Sequence, residues 1–361
     1  MRMPLWPLVL VGVENFVLVD VVLCVFTLSL AALVRLRART CAWRPLSMSR
    51  VYAAALILPA VGSAWIVVAS LFPAIWLGTD RWGQEHQAPH TLHLLNAFTV
   101  PLDPILGYAA VGFAVLAVVF AAHAGLSAYF RIGGVVRRLD IGAEPGAPDR
   151  IEQVELTCRQ RGIDVGLVVS HYPFSFVWGY FRSKLVISTG LLNALSSKEL
   201  ATLLEHEAAH HERRDNLMKW VLTVCRYSSP AFPLTQLLYR WWSEQVEMIC
   251  DEVAARRTSA PVELAEALTR LRRLTLSAPA RSVRPIGSRF LGERSESFER
   301  RVVRVLSLVD QSETSETMSS ERSWVRAAAL AGAACASSLA IIFMVSPLAI
   351  HRVIEAILHA F

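Results

Sequence analysis

The feature that most constrains this chain is a set of long apolar stretches. Three of them contain no Asp, Glu, Lys or Arg: 51–77, 104–130 and 327–350. A fourth, residues 9–34, carries only Glu14 and Asp20. Each is long enough to cross a bilayer, which takes roughly 20 apolar residues as a helix. The sequence therefore predicts an α-helical integral membrane protein with about four transmembrane helices.

The bulk composition agrees with this prediction. The chain is 54% hydrophobic and 18% charged, whereas globular domains are about one quarter charged. A net charge of +6 in so apolar a chain indicates cytoplasmic anchoring at a membrane rather than nucleic-acid binding. We expect the lipid bilayer as a partner and no direct contact with nucleic acid.

Arginine placement predicts the orientation. The loop 35–50 holds five arginines, whereas the loop 78–103 holds only Arg81. Under the positive-inside rule, 35–50 and 131–326 lie in the cytoplasm, and the N-terminus, 78–103 and the C-terminal end lie outside. In this orientation Glu14 lies at the outer interface and Asp20 less than two helical turns deeper. We interpret both acids as interfacial, although acids within the membrane can also be functional.

The predicted domain organisation follows from the spans. It comprises an N-terminal membrane domain (1–130) with helices at about 9–34, 51–77 and 104–130, a cytoplasmic domain (131–309), a flexible tether (310–326), a fourth transmembrane helix (327–350) and a short tail (351–361). The tether is polar and of low complexity, which favours a flexible connection.

The cytoplasmic domain is predicted to be α+β. Capping-box patterns at Asp149 and Ser196 each open a helix, and the second runs through HEAAH to about Arg214. Residues 217–239 are apolar but interrupted by prolines, which predicts a helix, a break and a helix, packed in the domain or on the membrane surface. The remaining predicted elements are strands near 165–169, 176–181 and 184–188, helices near 240–257 and 261–274, and a loop at 277–296.

The sequence HEAAH carries the chemistry. His206 and His210 are four residues apart, so both imidazoles share one helix face and can meet one cation. Glu207 lies beside the first histidine and is placed to act as general base on a water molecule. Hydrolytic zinc sites take three protein ligands and keep one position for water. The pattern predicts a zincin-like metalloprotease domain with Zn²⁺ as its cofactor.

The third zinc ligand must come from another part of the chain. The predicted helix near 240–257 offers Glu244, Glu247 and Asp251. Glu247 completes the ligand set, and Asp251, on the same helix face, can accept an N–H from a ligand histidine. Glu244 is the alternative ligand, and a solvated acidic helix face without metal is the alternative interpretation.

Two segments resemble the BlaR/MecR-type antirepressor metallopeptidases, which are relatives of HtpX-like and CAAX-processing gluzincins. These segments are FSFVWGYFRSKLVISTGLLNALSSKELATLLEHEAAHHERRDN and EQVEMICDEVAAR. The matching positions are the serine-threonine-glycine-leucine turn at 188–191, the motif 206–210 with Asp215 five residues beyond, and Glu247 with Cys250 and Asp251. The layout of three spans, a protease and a fourth span is also similar.

The resemblance implies zinc bound by His206, His210 and Glu247, with Glu207 as the catalyst and Asp215 and Asp251 as supporting carboxylates. It also implies a multi-pass protein of the bacterial plasma membrane, with a cytoplasmic protease that relieves a BlaI/MecI-like repressor. Sensing members carry an outer penicillin-binding domain after the last span, whereas this chain ends at Phe361. We therefore expect any signal to enter through the spans, the loop 78–103 or a partner.

Two alternatives to a signalling protease stay open: an HtpX-like quality-control protease, and a non-catalytic transducer that binds a repressor. Self-cleavage is predicted near 277–298, with an ordinary mobile loop as the alternative. The outer loop contains a further group of histidines, His86, His90 and His93. We interpret them as part of a polar loop, because Pro89 breaks any regular helix there.

Overall fold

A computed structural model describes residues 5–40, 44–76, 148–181, 183–277 and 295–309, with single positions 119, 123, 126 and 127. Most of the predicted third span and all of the fourth, the tether and the histidine loop lie outside these residues. Within them the protein is mostly helical, with nine helices and one three-stranded sheet.

Two long helices open the fold, α1 (Leu5–Thr40) and α2 (Pro45–Trp76). Each contains a segment long and apolar enough to cross a membrane, Val19–Ala38 and Pro45–Trp65. Helix α1 extends beyond both ends of the predicted span 9–34, and α2 begins before the predicted span 51–77. They pack closely on each other, and both contact the later helix Phe232–Thr258.

The second part of the described chain begins with α3 (Pro148–Gln160), followed by β1 (Asp164–Val168), β2 (Ser175–Trp178) and β3 (Lys184–Ser188). The strand order is β1-β3-β2, with β1 parallel and β2 antiparallel to β3. All three predicted strands are confirmed with small shifts in their ends. Asp149 does not cap α3 as predicted, because the helix already begins at Pro148 and Asp149 lies in its first turn.

The serine-threonine-glycine turn after β3 fastens the sheet to its neighbours. Ser188 Oγ accepts hydrogen bonds from the backbone N–H of Leu191, where it caps α4 (Thr189–Ala194), and of Phe174. The backbone of Gly190 passes so close to the His171 carbonyl that a Cβ would lie 2.4 Å from its oxygen. The turn therefore has a structural role, because these contacts hold the segment that leads into β2 in place.

The HEAAH helix is α5 (Ser197–Glu212), and its predicted capping box is confirmed. Ser196 accepts from the Glu199 N–H, and the Glu199 carboxylate accepts from the Ser196 N–H. One face of α5 is buried against α3, β3 and α4. Leu200, Leu203 and Leu204 of α5 form one cluster there with Val154, Cys158, Leu185, Leu191 and Leu192. This packing fixes the rotation of α5, and therefore the direction of the HEAAH side chains.

The interrupted stretch 217–239 forms an antiparallel pair of helices, as the prolines predicted. Helix α6 (Asp215–Ser228) ends in a short break, and α7 (Phe232–Thr258) begins with a proline in its first turn. Helix α7 starts well before the predicted position near 240, because Pro233 stands where a missing backbone N–H has no cost. It packs against α1, α2, α5 and α6.

Two helices complete the described fold, α8 (Pro261–Ser277) and α9 (Ser295–Leu306). They pack against α7 through a cluster around Leu264, Leu268 and Phe298. The start of α9 corrects the end of the predicted loop, because residues 295–298 are helical and Phe298 is buried by this packing. The rest of the predicted self-cleavage region, 278–294, lies outside the described residues.

Candidate metal centre

Three predicted ligands converge between α5 and α7. The Nε2 atoms of His206 and His210 lie 3.2 Å apart. Glu247 Oε2 lies 3.7 Å from His206 Nε2 and 3.8 Å from His210 Nε2. The i, i+4 spacing on α5 produces the first distance, and the crossing of α5 and α7 produces the other two. Glu244 points elsewhere and forms an ion pair with Arg35 of α1.

These residues fit a zinc ion. Two atoms that bind one tetrahedral zinc at about 2.0–2.1 Å are separated by roughly 3.3 Å, and the observed separations are close to that value. All three side chains are buried. The donor set of two imidazoles and one carboxylate is the type that hydrolytic zinc sites use, with a fourth position left for water.

Each histidine is oriented by an aspartate on its opposite ring nitrogen. His206 Nδ1 lies 2.9 Å from Asp251 Oδ1, and His210 Nδ1 lies 2.7 Å from Asp215 Oδ2. A carboxylate at Nδ1 keeps the proton on that nitrogen and leaves the Nε2 lone pair directed at the metal position. Both aspartates named in the sequence therefore lie where supporting carboxylates must lie.

Arg301 is a further member of the site that sequence reasoning missed. It is 2% exposed and donates to both oxygens of Asp251, from Nε at 2.7 Å and from Nη2 at 3.0 Å. The same Nη2 lies 3.7 Å from Glu247 Oε2. Arg301 lies on α9 and no local pattern marks it, because its partners are about 50 positions earlier in the sequence.

Only one of the two carboxylate oxygens of Glu207 has a hydrogen-bond partner among the described residues. Its Oε1 accepts a hydrogen bond of 2.9 Å from Ser175 Oγ, at the start of β2. Its Oε2 is buried and has no hydrogen-bond partner among the described residues. A buried carboxylate oxygen without a partner is costly unless a ligand or water completes it. This arrangement matches a general base that meets a water molecule during the reaction.

The edge strand β2 runs past this carboxylate. Phe174 O accepts from Ser188 N and Ser175 pairs with Ile187, so the backbone groups of residues 174 and 176 face β3. The groups of Ser175 and Val177 therefore face away from the sheet. Asn216 Nδ2 donates to Val177 O at 2.6 Å. Within the described residues no other strand pairs with this side of β2, so an extended peptide can be added there.

Without a cation, the pKa shifts in the site favour a positively charged His206 and negatively charged Asp215 and Asp251. Burial acts to lower the pKa of His206, but its contacts with the carboxylates of Asp251 and Glu247 outweigh burial and raise that pKa to about 9. Burial acts to raise the pKa of Asp215, but the neighbouring His210 and Arg213 lower it overall. The pKa of Asp251 is likewise lowered, because Arg301 and His206 outweigh its burial.

A second cluster, formed by His210, Asp215 and Cys250, is part of the same network rather than a separate metal site. It uses Nδ1 of His210, which faces away from Glu247. The 2.7 Å between this nitrogen and Asp215 is a hydrogen-bond distance, and Cys250 Sγ lies 3.3 Å from the same nitrogen. His211 bonds to Ser183 Oγ at 2.9 Å instead of facing the metal position.

Comparison with known proteins agrees with this geometry. Residues 153–225 match the model of peptidase family M48. The matched segment runs from α3 through the sheet and the HEAAH helix into α6, and contains His206, Glu207 and His210. It ends before Glu247 and covers about a fifth of the chain. No curated protein and no solved structure matches the chain.

The family match supports a metallopeptidase activity for this region, since M48 enzymes are zinc metallopeptidases. A protease implies a protein or peptide substrate. The match does not favour the BlaR/MecR type over other membrane-type zincins.

Proposed function

We propose that the chain is a membrane-embedded zinc metalloendopeptidase with its catalytic domain at the cytoplasmic side of a bacterial plasma membrane. His206, His210 and Glu247 are the zinc ligands, and Glu207 is the catalytic residue. The convergence of three buried donor atoms beside an incompletely bonded glutamate carries this proposal. The M48 match over the same residues supports it independently.

The side chains divide the work of hydrolysis. When bound, zinc supplies a Lewis acid that activates water and polarises the scissile carbonyl. Glu207 Oε2 accepts a proton from the attacking water and passes it to the leaving amine. Ser175 fixes the other oxygen of Glu207. The outer edge of β2, where the backbone groups of Ser175 face away from the sheet, aligns the substrate as an added strand. Asp251 and Asp215 keep both imidazoles in the ligating tautomer.

Glu207→Gln tests the catalytic role. We expect this variant to keep its zinc, because Glu207 is not a ligand, and to lose hydrolysis of an unstructured protein such as casein by at least about 10²-fold. Glu205→Gln is the matched control on the same helix, since Glu205 is partly buried and pairs with Arg161 and Arg257 instead of contacting the metal ligands. Chelation should abolish activity in the wild type, and added zinc should restore it. Full activity in Glu207→Gln would remove the mechanism.

For the biological role we propose a regulatory protease that relieves a BlaI/MecI-like repressor. The supporting observation is that α1 and α2 pack on α7, the helix that carries Glu247 and Asp251. Arg35 of α1 pairs with Glu244 at 3.2 Å and lies over Trp241, whose ring is 5.6 Å from that of Tyr52 in α2. A shift of the membrane helices therefore moves the helix of the third ligand.

An HtpX-like quality-control protease is the second candidate, because the family match fits it equally. The wild type and Glu207→Gln distinguish the two when each is produced with a BlaI/MecI-like winged-helix repressor, or with a destabilised membrane protein. Glu207-dependent cleavage of the repressor supports the regulatory role. Cleavage of the membrane protein alone assigns quality control, and repressor binding without cleavage assigns a non-catalytic transducer.

A further inference from the structure

Two polar contacts tie α1 to the α6–α7 pair in matching register. Near one end, Ser229 Oγ, in the break between α6 and α7, donates to Asp20 Oδ2 at 2.5 Å. At the other end, Arg35 pairs with Glu244 at 3.2 Å. Fifteen positions separate Asp20 from Arg35, and the same number separates Ser229 from Glu244. The break and the first turns of α7 therefore run beside about 22 Å of α1, in the same direction.

This shared stretch coincides with the most lipid-like surface of α1. Between these two contacts, the large side chains exposed on α1 are all apolar: Val21, Val22, Val25, Phe26, Leu30 and Leu33. No charged residue occurs in α1 from Val21 to Val34. A helix face of this kind needs hydrocarbon around it. Arg35 then marks the inner boundary of the bilayer.

The α6–α7 hairpin continues this apolar surface. Between residues 220 and 239, every position that is exposed carries an apolar side chain: Trp220, Phe232, Pro233 and Leu237. The one charged side chain in this stretch, Arg226, is buried, and the next exposed charge along α7 is Arg240, one turn before Glu244. The polar side of the hairpin tip therefore faces α1, and its apolar side faces outward.

The one cation near the tip in the described structure is shielded. Arg226 is 8% exposed, and its Nη1 donates to Gln236 Oε1 at 2.7 Å. Its guanidinium lies 4.4 Å from the ring centres of both Tyr227 and Tyr239. Aromatic faces and a hydrogen-bond acceptor replace much of the hydration of the charge. Such shielding is needed when a charged residue lies in a hydrocarbon environment.

We infer that the α6–α7 hairpin is inserted in the bilayer beside α1, with its outer surface in contact with lipid chains. Its tip at Ser229 lies about 22 Å above the level of Arg35, most of the way through the roughly 30 Å hydrocarbon core. This inference rests on the proposed membrane location of α1. Glu247 follows Glu244 by three residues, so the metal centre lies within about one helical turn of the inner boundary.

Lipid crosslinking from single sites tests the insertion. The photoreactive residue p-benzoylphenylalanine replaces Phe232 at the hairpin tip in full-length protein reconstituted into phosphatidylethanolamine–phosphatidylglycerol vesicles. Phe26→p-benzoylphenylalanine on α1 is the lipid-facing reference, and Leu156→p-benzoylphenylalanine on α3 is the water-facing one. These native side chains are 38%, 65% and 56% exposed, respectively, so each substitution is at an accessible surface position. Zinc content reports correct folding.

After irradiation, we expect mass spectrometry to find lipid adducts at positions 232 and 26 in comparable yield, and none above background at position 156. Adducts at 26 with none at 232 would overturn hairpin insertion and leave the membrane location of α1 intact. No adducts at 26 would overturn both. Neither result depends on proteolysis, so the activity of the wild type tests the protease assignment separately.

Discussion

The two helices that supply the proposed ligands, α5 and α7, differ in what holds them. Helix α5 (Ser197–Glu212) is anchored by its own capping box and by a leucine-rich face in the hydrophobic core. Helix α7 (Phe232–Thr258) is longer and lies against α1 and α2 as well as α5, α8 and α9. The same site therefore combines a locally determined half with a half whose position depends on the packing of the two long N-terminal helices, α1 and α2.

This difference shows where control can act. The α5 half brings the paired imidazoles and Glu207 together through spacing on one helix, which a shift of α1 does not change. The α7 half brings Glu247 and Asp251, whose distance from the imidazoles depends on how α7 packs. If the site is regulated, we expect regulation to act through the α7 half.

The largest effect that tests this comparison is loss of the α7 ligand. We expect Glu247→Ala to weaken zinc binding by more than about 100-fold, beyond the roughly 10–100-fold typical of residues that only support a ligand. The measurement is zinc stoichiometry after dialysis against a competing chelator. Glu244→Ala, one turn away on the same helix, is the control and should keep its zinc, because Glu244 pairs with Arg35 instead.

Unchanged zinc content in Glu247→Ala would contradict the division of the site between α5 and α7. Zinc loss in Glu244→Ala with retention in Glu247→Ala would transfer the third ligand to Glu244. Equal loss in both would indicate that α7 packing, rather than one carboxylate, controls metal binding.

Substitution of the two aspartates that support the imidazoles is expected to have smaller effects on zinc binding. The two substitutions should also differ from each other in their effect on stability. Asp215→Asn and Asp251→Asn should each weaken zinc binding by about 10–100-fold. Only Asp251→Asn should also destabilise the fold strongly, by about 3–5 kcal/mol, because it leaves the buried guanidinium of Arg301 without its carboxylate. Asp215 pairs instead with Arg213, whose side chain is 26% exposed and can be hydrated. Thermal unfolding with saturating zinc separates the two effects.

Equal destabilisation by the two substitutions would contradict the special dependence of Asp251 on α9. An Arg301→Lys variant sharpens the result, since lysine keeps the charge but loses the two-point geometry of the guanidinium. We expect it to fall between the wild type and Asp251→Asn in thermal stability.

The same comparison explains what the sequence could predict. The α5 half follows from short-range patterns: Ser196 with Glu199 predicted the helix start, and the spacing of His206 and His210 predicted a shared face. The strands also follow from their apolar runs. Glu247 and Asp251 were recognisable because zinc needs a third ligand and a helix places them one turn apart.

The parts that sequence could not predict depend on distant contacts. Ser175 meets Glu207 only because β2 pairs at the outer side of β3, and Arg301 meets Asp251 only because α9 packs on α7. The contact between Ser229 and Asp20 depends on the packing of α1 against the α6–α7 hairpin. Local residue patterns carry no information on these contacts, because the partners are separated by tens to hundreds of positions.

The smallest expected effect is on the number of protons that the site releases when it binds zinc. Without a cation, the Asp251 and Glu247 contacts raise the pKa of His206 to about 9 despite burial. Its contribution to the stability of the zinc-free fold is therefore fully present below its ordinary value of about 6.5 and is lost as the pH rises through about 9. A ligating imidazole must be neutral, so zinc binding at pH 7.5 should release close to one proton from His206.

Calorimetry in buffers of different ionisation enthalpy measures this release. We expect the Asp251→Asn variant to release fewer protons, because it loses a contact that raises the His206 pKa, and Asp215→Asn to leave the His206 contribution unchanged. The difference would show that the α7 half sets the proton occupancy of an α5 ligand. Zinc binding at pH 7.5 with no proton release, or identical release in both variants, would show instead that each imidazole behaves independently of α7.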